Sequence, residues 1–176
     1  MLKSFVITSV AVAAAGVLAQ AQTSPASAPT DPQIAMIVVT ANNVDIAAGK
    51  LAAQKSSNPK VKEFAELMVR DHTSVNKQAT DLAKKLNLTP EQSPASQRLK
   101  SDGEKTLAKL RGLSGAEFDK AYIDNEIAYH EAVIKVLDDA LIPNAKNADL
   151  KALLEAGKPI FTSHLNHAKE VQSSLK

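Results

Sequence analysis

Hydrophobic residues recur every three or four positions through four long stretches of the chain, which is the period of an α-helix that buries one face. The second stretch shows the pattern most clearly, at Val61, Ala65, Met68, Val75, Ala79, Leu82 and Leu86. Asp31-Pro32 and Asn58-Pro59 each place a capping residue before a proline, the combination typical of a helix start. The pattern predicts a first helix over residues 31–56 and a second over residues 59–86.

The second half of the chain predicts two more long helices, preceded by a broken stretch. Prolines and glycines interrupt residues 87–115, where we expect one short helix over residues 98–110. A third helix is expected from Ser114 to Leu141, because Ser114 and Glu117 have the spacing of a capping box.

The fourth helix is expected over residues 147–175, where Gly157 and Pro159 predict a kink or a break. Only a few residues join the first helix to the second and the third to the fourth, so each pair must be antiparallel neighbours, whereas about thirty residues separate the pairs. We therefore predict an all-α fold, a ferritin-like four-helix bundle of two antiparallel hairpins joined by a long crossover that carries a short helix. The second and third helices are then parallel. An up-down bundle with a decorated loop is the alternative.

The N-terminal residues have the features of a secretory signal peptide. Lys3 precedes an uncharged apolar run over residues 5–19, and Ala19-Gln20-Ala21 fits a signal-peptidase site. The run is shorter than the roughly 20 residues of a spanning helix. We predict a signal peptide over residues 1–21 and export to the periplasm or cell envelope, with a retained membrane anchor as the alternative.

The mature chain is then divided into a tether and one domain. Residues 22–30 are rich in Ser, Pro, Ala and Thr, which is typical of a flexible linker. The remaining residues 31–176 are expected to form the bundle, with no integral membrane span in the mature chain.

Composition excludes several classes of function. The chain contains no cysteine, which rules out disulfides, thiolate metal ligands and thiol nucleophiles. The 21 basic and 19 acidic residues nearly balance, so we expect no nucleic-acid partner. A second copy of the chain or another envelope protein is left as a candidate partner. No phosphate-binding glycine loop, GxSxG or HExxH motif is present in the sequence, and we assign no catalytic or cofactor-binding residue.

Three of the four histidines replace apolar residues on the predicted buried faces. His72, His130 and His164 each lie near the centre of a long helix, and Asp45 is the acid on the buried face of the first helix. A helix rises about 1.5 Å per residue, so these four side chains are expected at about one level of the bundle. Buried polar groups without partners cost several kcal/mol, so the four should satisfy one another or hold an ion.

Further polar residues lie close to these positions. Glu126 is one turn before His130 on the same face, and Asp119 lies two further turns back, so either can bond a histidine or join it as a ligand. His167 is one turn after His164 and less clearly inward.

Imidazole and carboxylate ligands without sulfur suit Zn, Fe, Mn or Cu. The sequence thus predicts a divalent transition metal at His72, His130, His164, Glu126 and Asp45. The alternative is a metal-free network of buried hydrogen bonds that fixes helix register. Asp71 is expected to pair with Arg70 at the surface, or alternatively to orient a metal ligand.

The chain also carries an ordered set of short segments: Gly49-Lys50-Leu51-Ala52, Asn58, Val61-Lys62-Glu63-Phe64-Ala65, Met68-Val69-Arg70-Asp71-His72, Leu113-Ser114-Gly115, Phe118-Asp119, Tyr122-Ile123, His130, Pro159, His164-Leu165 and Ala168. Together they resemble the family called domain of unknown function 4142 (DUF4142), over about residues 34–171. The resemblance implies an exported bacterial protein, often labelled an outer-membrane protein, with a fold of the ferritin-like superfamily. It implies no established activity.

The chain departs from the usual metal pattern of that superfamily. Ferritin-like di-metal proteins use a Glu-x-x-His on each of two helices, but Val69, Ile127 and Phe161 stand three residues before the histidines. We therefore do not expect a standard ferroxidase or oxygenase centre. A metal-binding or stress-protective envelope protein and a metal-free interaction or ligand-binding bundle are the two main hypotheses, with a metal-dependent enzyme as a third.

Overall fold

Five long helices make up most of residues 28–175, the part of the chain that this computed structural model describes. They are α1 (Asp31–Lys55), α2 (Pro59–Lys85), α3 (Pro94–Gly112), α4 (Gly115–Val136) and α5 (Ala148–Ser174). A π-helical turn (Leu137–Leu141) and a short helical turn (Ile142–Asn144) continue α4. The predicted signal peptide, and the linker as far as residue 27, lie outside the described residues.

The helix starts follow the capping pattern with two corrections. Asn58 caps α2 as predicted, because its Oδ1 accepts hydrogen bonds from the amides of Lys60 and Val61. The cap of α1 is Thr30 and not Asp31. The cap of α4 is Ser114, but its side chain makes no capping bond and the expected box with Glu117 does not form. The chain enters α4 through Gly115 at φ +56°, a left-handed turn that replaces the usual geometry.

Contacts at the helix ends define the topology. The carboxylate of Asp31, at the start of α1, accepts hydrogen bonds from the amides of Lys146 and Asn147, just before α5, at 2.8 and 2.9 Å. Helices α1 and α5 therefore begin at the same end, and their hairpin partners α2 and α4 run the opposite way, parallel to each other. The prediction of two antiparallel hairpins joined by a long crossover is confirmed.

The crossover helix is longer than predicted. We expected residues 98–110, but α3 covers Pro94–Gly112, because Ser93 caps it and Pro94 occupies its first turn. Gly103 does not break the helix but allows close packing, since a Cβ there would lie 2.7 Å from both Val44 methyl carbons of α1. Helix α3 runs alongside α1: the amide of Glu91 donates to the carbonyl of Pro32 at one end. At the other end, the Lys55 ammonium donates to the Arg111 carbonyl.

The connection from α4 to α5 also differs from expectation. Helix α4 does not stop at Leu141, because the π turn and the short helical turn carry it to Asn144. Pro143 has no amide to bond the carbonyl of Asp139, and it directly follows the π turn, in which the Ile142 amide bonds the Leu137 carbonyl. Helix α5 continues through Pro159, so a break there is wrong, and the kink stays a prediction.

Two apolar clusters fill the bundle, with a polar layer between them. The cluster toward the end of α1 contains Ala52, Val61, Phe64, Met68, Phe118, Tyr122 and Ile123. The cluster toward its start contains Ile34, Ile37, Val75, Leu137, Leu141, Leu150, Leu154 and Phe161. His72 follows Met68 of the first cluster by four residues and precedes Val75 of the second by three, so it lies at the boundary between them.

Helix α1 has the length and composition of a membrane-spanning helix, with a mean hydropathy of 1.3 over its most apolar window. A core helix of a bundle passes the same test, and here α1 packs against both α2 and α3.

Candidate metal centre

All four helices of the two hairpins contribute a buried polar side chain to this layer. His72, His130 and His164 are each at most 3% exposed, and Asp45 and Glu126 are each 1% exposed. All five sequence-predicted residues are therefore buried. They form two groups whose ligand atoms lie within 4.8 Å of one another: His72 with His130 and His164, and Asp45 with Glu126 and His130.

His72 is oriented by a buried amide on α1. Its Nδ1 lies 2.8 Å from Oδ1 of Asn42. The Asn42 amide nitrogen donates to the carbonyl of Val38 at 2.9 Å, so its oxygen must face the histidine. The proton of His72 therefore lies on Nδ1, and Nε2 carries a lone pair. That Nε2 has no hydrogen-bond donor within the described protein.

His130 is oriented by its own helix. Its Nδ1 lies 2.9 Å from the backbone carbonyl of Glu126, one turn earlier, and must donate to it. The Nε2 of His130 then also carries a lone pair, and this atom too is buried without a partner among the described residues.

His164 is oriented by a carboxylate on α2. Its Nε2 lies 3.1 Å from Oδ2 of Asp71, whose other oxygen accepts from Nε of Arg70 at 2.8 Å. Asp71 therefore both pairs with Arg70 and orients a histidine, which joins the two roles considered from the sequence. The Nδ1 of His164 is left with a lone pair and no partner within residues 28–175.

The arrangement presents three imidazole lone pairs that lack a donor. Metal-binding histidines commonly have one ring nitrogen fixed by a hydrogen bond to a carboxylate or carbonyl while the other binds the ion. The rings are close enough to serve one ion, with centroid separations of 5.6 Å for His72 and His130, 5.2 Å for His72 and His164, and 5.4 Å for His130 and His164.

Asp45 completes the group from α1. Its Oδ2 lies 3.3 Å from Nε2 of His72 and 3.7 Å from Nε2 of His130. Both histidine nitrogens carry lone pairs, so the contacts are favourable only with a proton or a metal cation between them. Burial raises the pKa of Asp45 to about 7, and burial together with the Asp45 charge raises the pKa of Glu126 well above its usual value. In the absence of metal the carboxyl groups therefore retain protons near neutrality.

The pKa values of the three histidines shift in the opposite direction. Burial and the neighbouring His130 charge lower the pKa of His72 to about 3, and burial lowers that of His130 to about 4. Burial also lowers the pKa of His164, although Asp71 opposes the shift. All three imidazoles are neutral at pH 7, the form that binds metals.

These opposed shifts predict that the stability of the metal-free protein is greatest near neutrality. Below pH 6.5 the unfolded chain binds protons on three histidines that the native state leaves neutral, and this difference lowers stability as pH falls. The native state in turn keeps protons on Asp45 and Glu126 that the unfolded chain loses, and this difference has the opposite effect. The three histidines outnumber the two carboxyl groups, so stability should fall on acidification below about pH 6. From about pH 6.5 to 7 the native state keeps a proton on Asp45 that the unfolded chain has lost, and the raised pKa of Glu126 acts in the same direction, so stability should fall as pH rises there.

Chemical denaturation of chelator-treated protein at pH 5, 7 and 9 measures this profile. Burial raises the pKa of Tyr122 and Tyr129 well above 10, so neither phenol titrates in this range. A stability that rises steadily from pH 7 to 9 would contradict the proton-holding carboxyl pair.

Two sequence candidates lie outside the cluster. Asp119 is buried but belongs to neither group of ligand atoms. His167 packs edge-on against Phe64, with ring centroids 5.3 Å apart, and is likewise outside both groups.

Sequence reasoning missed two residues that shape the site. Asn42 precedes Asp45 by three positions on the same face of α1, and this spacing was the available signal. Phe161 is buried and stacks on His72 with ring centroids 5.5 Å apart, whereas its neighbour Ile160 is 37% exposed.

The fold and this layer define the chain as an all-helical bundle with a buried histidine–carboxylate cluster at mid-height. The family model described as Domain of unknown function (DUF4142) matches residues 16–171, so the chain belongs to that family. No curated protein matches the chain.

Among solved structures, the chain is similar to CopM in the Cu(II)-bound form, with 15% sequence identity and a TM-score of 0.64. The similarity covers 85% of this chain and 100% of that chain. At this level of identity the likeness shows the fold.

Proposed function

We propose that this protein is an exported helical bundle that binds one divalent transition metal ion at His72, His130 and His164, with Asp45 as a further ligand and Glu126 beside it. The observation that carries the proposal is the convergence of three lone-pair nitrogens, each without a donor, on helices α2, α4 and α5. Such groups are rare in protein cores unless an ion or water satisfies them.

The donor set favours copper first and zinc second. Three imidazoles and a carboxylate suit both metals, and affinity for divalent ions generally rises toward Cu(II). CopM, whose fold is similar, has been solved in a Cu(II)-bound form, and this makes copper the first ion to test. Bound metal would also replace the protons of the carboxyl pair, so the fully buried Asp45 would gain a counter-charge.

A metal-free hydrogen-bond network accounts for the cluster less well. One nitrogen of each histidine is bonded, as that hypothesis requires. A proton on Asp45 can serve Nε2 of His72 or of His130 but not both, and Nδ1 of His164 has no partner in the described chain. We infer metal handling or protection against metal stress as the biological role, and the apolar run before Ala19-Gln20-Ala21 supports export.

Untagged protein isolated from the periplasmic fraction tests both parts of the proposal. Its intact mass should correspond to a chain that begins at Gln22, and denaturing release should yield about one transition metal ion per chain. Full-length protein in washed membranes would show that the N-terminal segment is a retained membrane anchor instead of a cleaved signal peptide. Metal-free protein that takes up none of Cu(II), Zn(II), Mn(II) or Fe(II) in calorimetric titration would contradict the metal site.

A further inference from the structure

Helices α1 and α4 pack less closely than the other neighbouring pairs of the bundle, and α3 lies over the seam between them. Tyr129 divides this seam, because its hydroxyl crosses from α4 to donate to the backbone carbonyl of Ala41 on α1 at 2.8 Å. A cavity lies on each side of that bridge.

The cavity on the α3 side, which we call the carboxylate chamber, has a volume of about 100 Å³. Asp45 and Glu126 form its inner wall, and both carry buried carboxylate oxygens without partners in the described chain. Asp102 on the exposed surface of α3, with the half-buried Thr106 and Asn125, lies at the outer rim.

We propose that the carboxylate chamber is the entry route by which a hydrated divalent cation reaches the histidines. This inference rests on the proposed function. The histidines themselves are almost completely buried, so an ion needs a path through the bundle. Asp45 connects the carboxylate chamber with the histidine cluster, since it lines the chamber and its Oδ2 lies 3.3 Å from Nε2 of His72.

The chemistry of the chamber suits a cation that is losing water. A bare ion in a protein interior is strongly unfavourable unless ligands replace its hydration shell. The rim offers a carboxylate, a hydroxyl and an amide, and the inner wall offers two further carboxyl groups. The Asp102 carboxylate pairs with Lys105 at 2.9 Å, but both side chains are exposed, and such pairs exchange readily.

Two other approaches to the histidines within the described residues lack these features. Asp71 is 25% exposed beside His164, but it is already bonded to that histidine and to the Arg70 guanidinium, which repels cations. The second cavity, about 170 Å³ in volume, has an almost entirely apolar lining. Its polar members are Asn42 and Tyr129, whose hydrogen bonds are directed to the protein.

Blocking the rim should slow metal binding without changing affinity. We expect Thr106→Phe to lower the association rate constant for Cu(II) about tenfold and the dissociation rate constant equally, because a plug raises the barrier in both directions. Ala108→Phe places the same ring on an exposed position of α3 away from the chamber, and its rates should match wild type. Stopped-flow quenching of tyrosine fluorescence measures both rate constants, since the rings of Tyr129 and His130 meet edge to face with their centroids 6.0 Å apart.

A charge reversal at the exposed rim keeps the test decisive if Thr106→Phe fails to fold. Asp102→Lys should slow association at low salt, and the difference from wild type should vanish at high salt. Asp81→Lys on α2 makes the same change in net charge away from the rim and should have little effect.

Three outcomes are distinguishable. Slower binding by the rim variants alone supports the chamber. Unchanged rates in both rim variants overturn it, and if Arg70→Ala then binds faster, entry lies at Asp71. Absence of any binding by the wild type overturns the proposed function and the route together.

Discussion

Replacing any one of His72, His130 and His164 by alanine should lower the affinity for Cu(II) by more than about 100-fold. Removing a residue that merely orients a metal ligand costs roughly 10- to 100-fold, and removing the ligand itself costs more. Substitution of His72 or His164 also removes the hydrogen bond to its orienting partner, Asn42 or Asp71, which then loses its contact with the site.

The fourth histidine supplies a matched control for these substitutions. His167 lies one turn from His164 on α5, but its ring packs against Phe64 and not against the cluster. His167→Ala should bind Cu(II) as the wild type does in calorimetric titration. Binding that survives all three cluster substitutions, or that fails equally in His167→Ala, would show that the buried layer is not the metal site.

Replacing Asp45 by asparagine should stabilise the metal-free protein and weaken its metal binding. Asp45 is 1% exposed, and at pH 8 it is above its pKa of about 7, so its charge is buried, and the ion-pair contacts it makes within residues 28–175 are to the neutral His72 and His130. Asparagine has the same shape and no charge, and its amide can donate to Nε2 of His72, 3.3 Å from the present Oδ2. We expect a gain of about 1–3 kcal/mol in unfolding free energy, the range for relieving an unsatisfied buried group.

The gain should depend on pH in a defined direction. The carboxyl group ionises near pH 3.8 in the unfolded chain and near pH 7 in the native state, so the advantage of asparagine should shrink steadily as pH falls from about 7 toward about 4. Asp119→Asn changes another buried carboxyl group that lies outside the cluster, and it should leave metal affinity unchanged. A loss of stability in metal-free Asp45→Asn at pH 8 would contradict the unfavourable carboxylate.

Much of the fold is predictable from local sequence patterns because helix caps and short connections depend on interactions between residues close in sequence. Asn58 before Pro59 predicts the start of α2 correctly, since the cap bonds only to its own next residues. The short connection near residue 57 forces α1 and α2 to be antiparallel whatever they pack against. The extent of α3 was underestimated because Gly103 has the sequence signature of a helix breaker, whereas its role is to fit Val44 of α1.

The same distinction applies to the candidate site. Histidines that interrupt an apolar stripe predict burial, and the structure buries all three. The ring nitrogen that each one leaves open depends on partners from other helices, such as Asn42 for His72 and Asp71 for His164, and no pattern within one helix specifies these. The choice of Phe161 over Ile160 as the buried residue likewise depends on how α5 is rotated against its neighbours.

The π-helical turn at Leu137–Leu141 affects how the family can vary in length. Such a turn amounts to one residue added to an α-helix, and it rotates everything after it by about 100° relative to an uninterrupted helix. Loss of one residue here would convert the turn to ordinary α-helix and would leave the orientation of Ile142–Asn144 almost unchanged. Glu126 and His130 precede the turn, so relatives can gain or lose a residue at this point while the spacing of these two side chains stays the same.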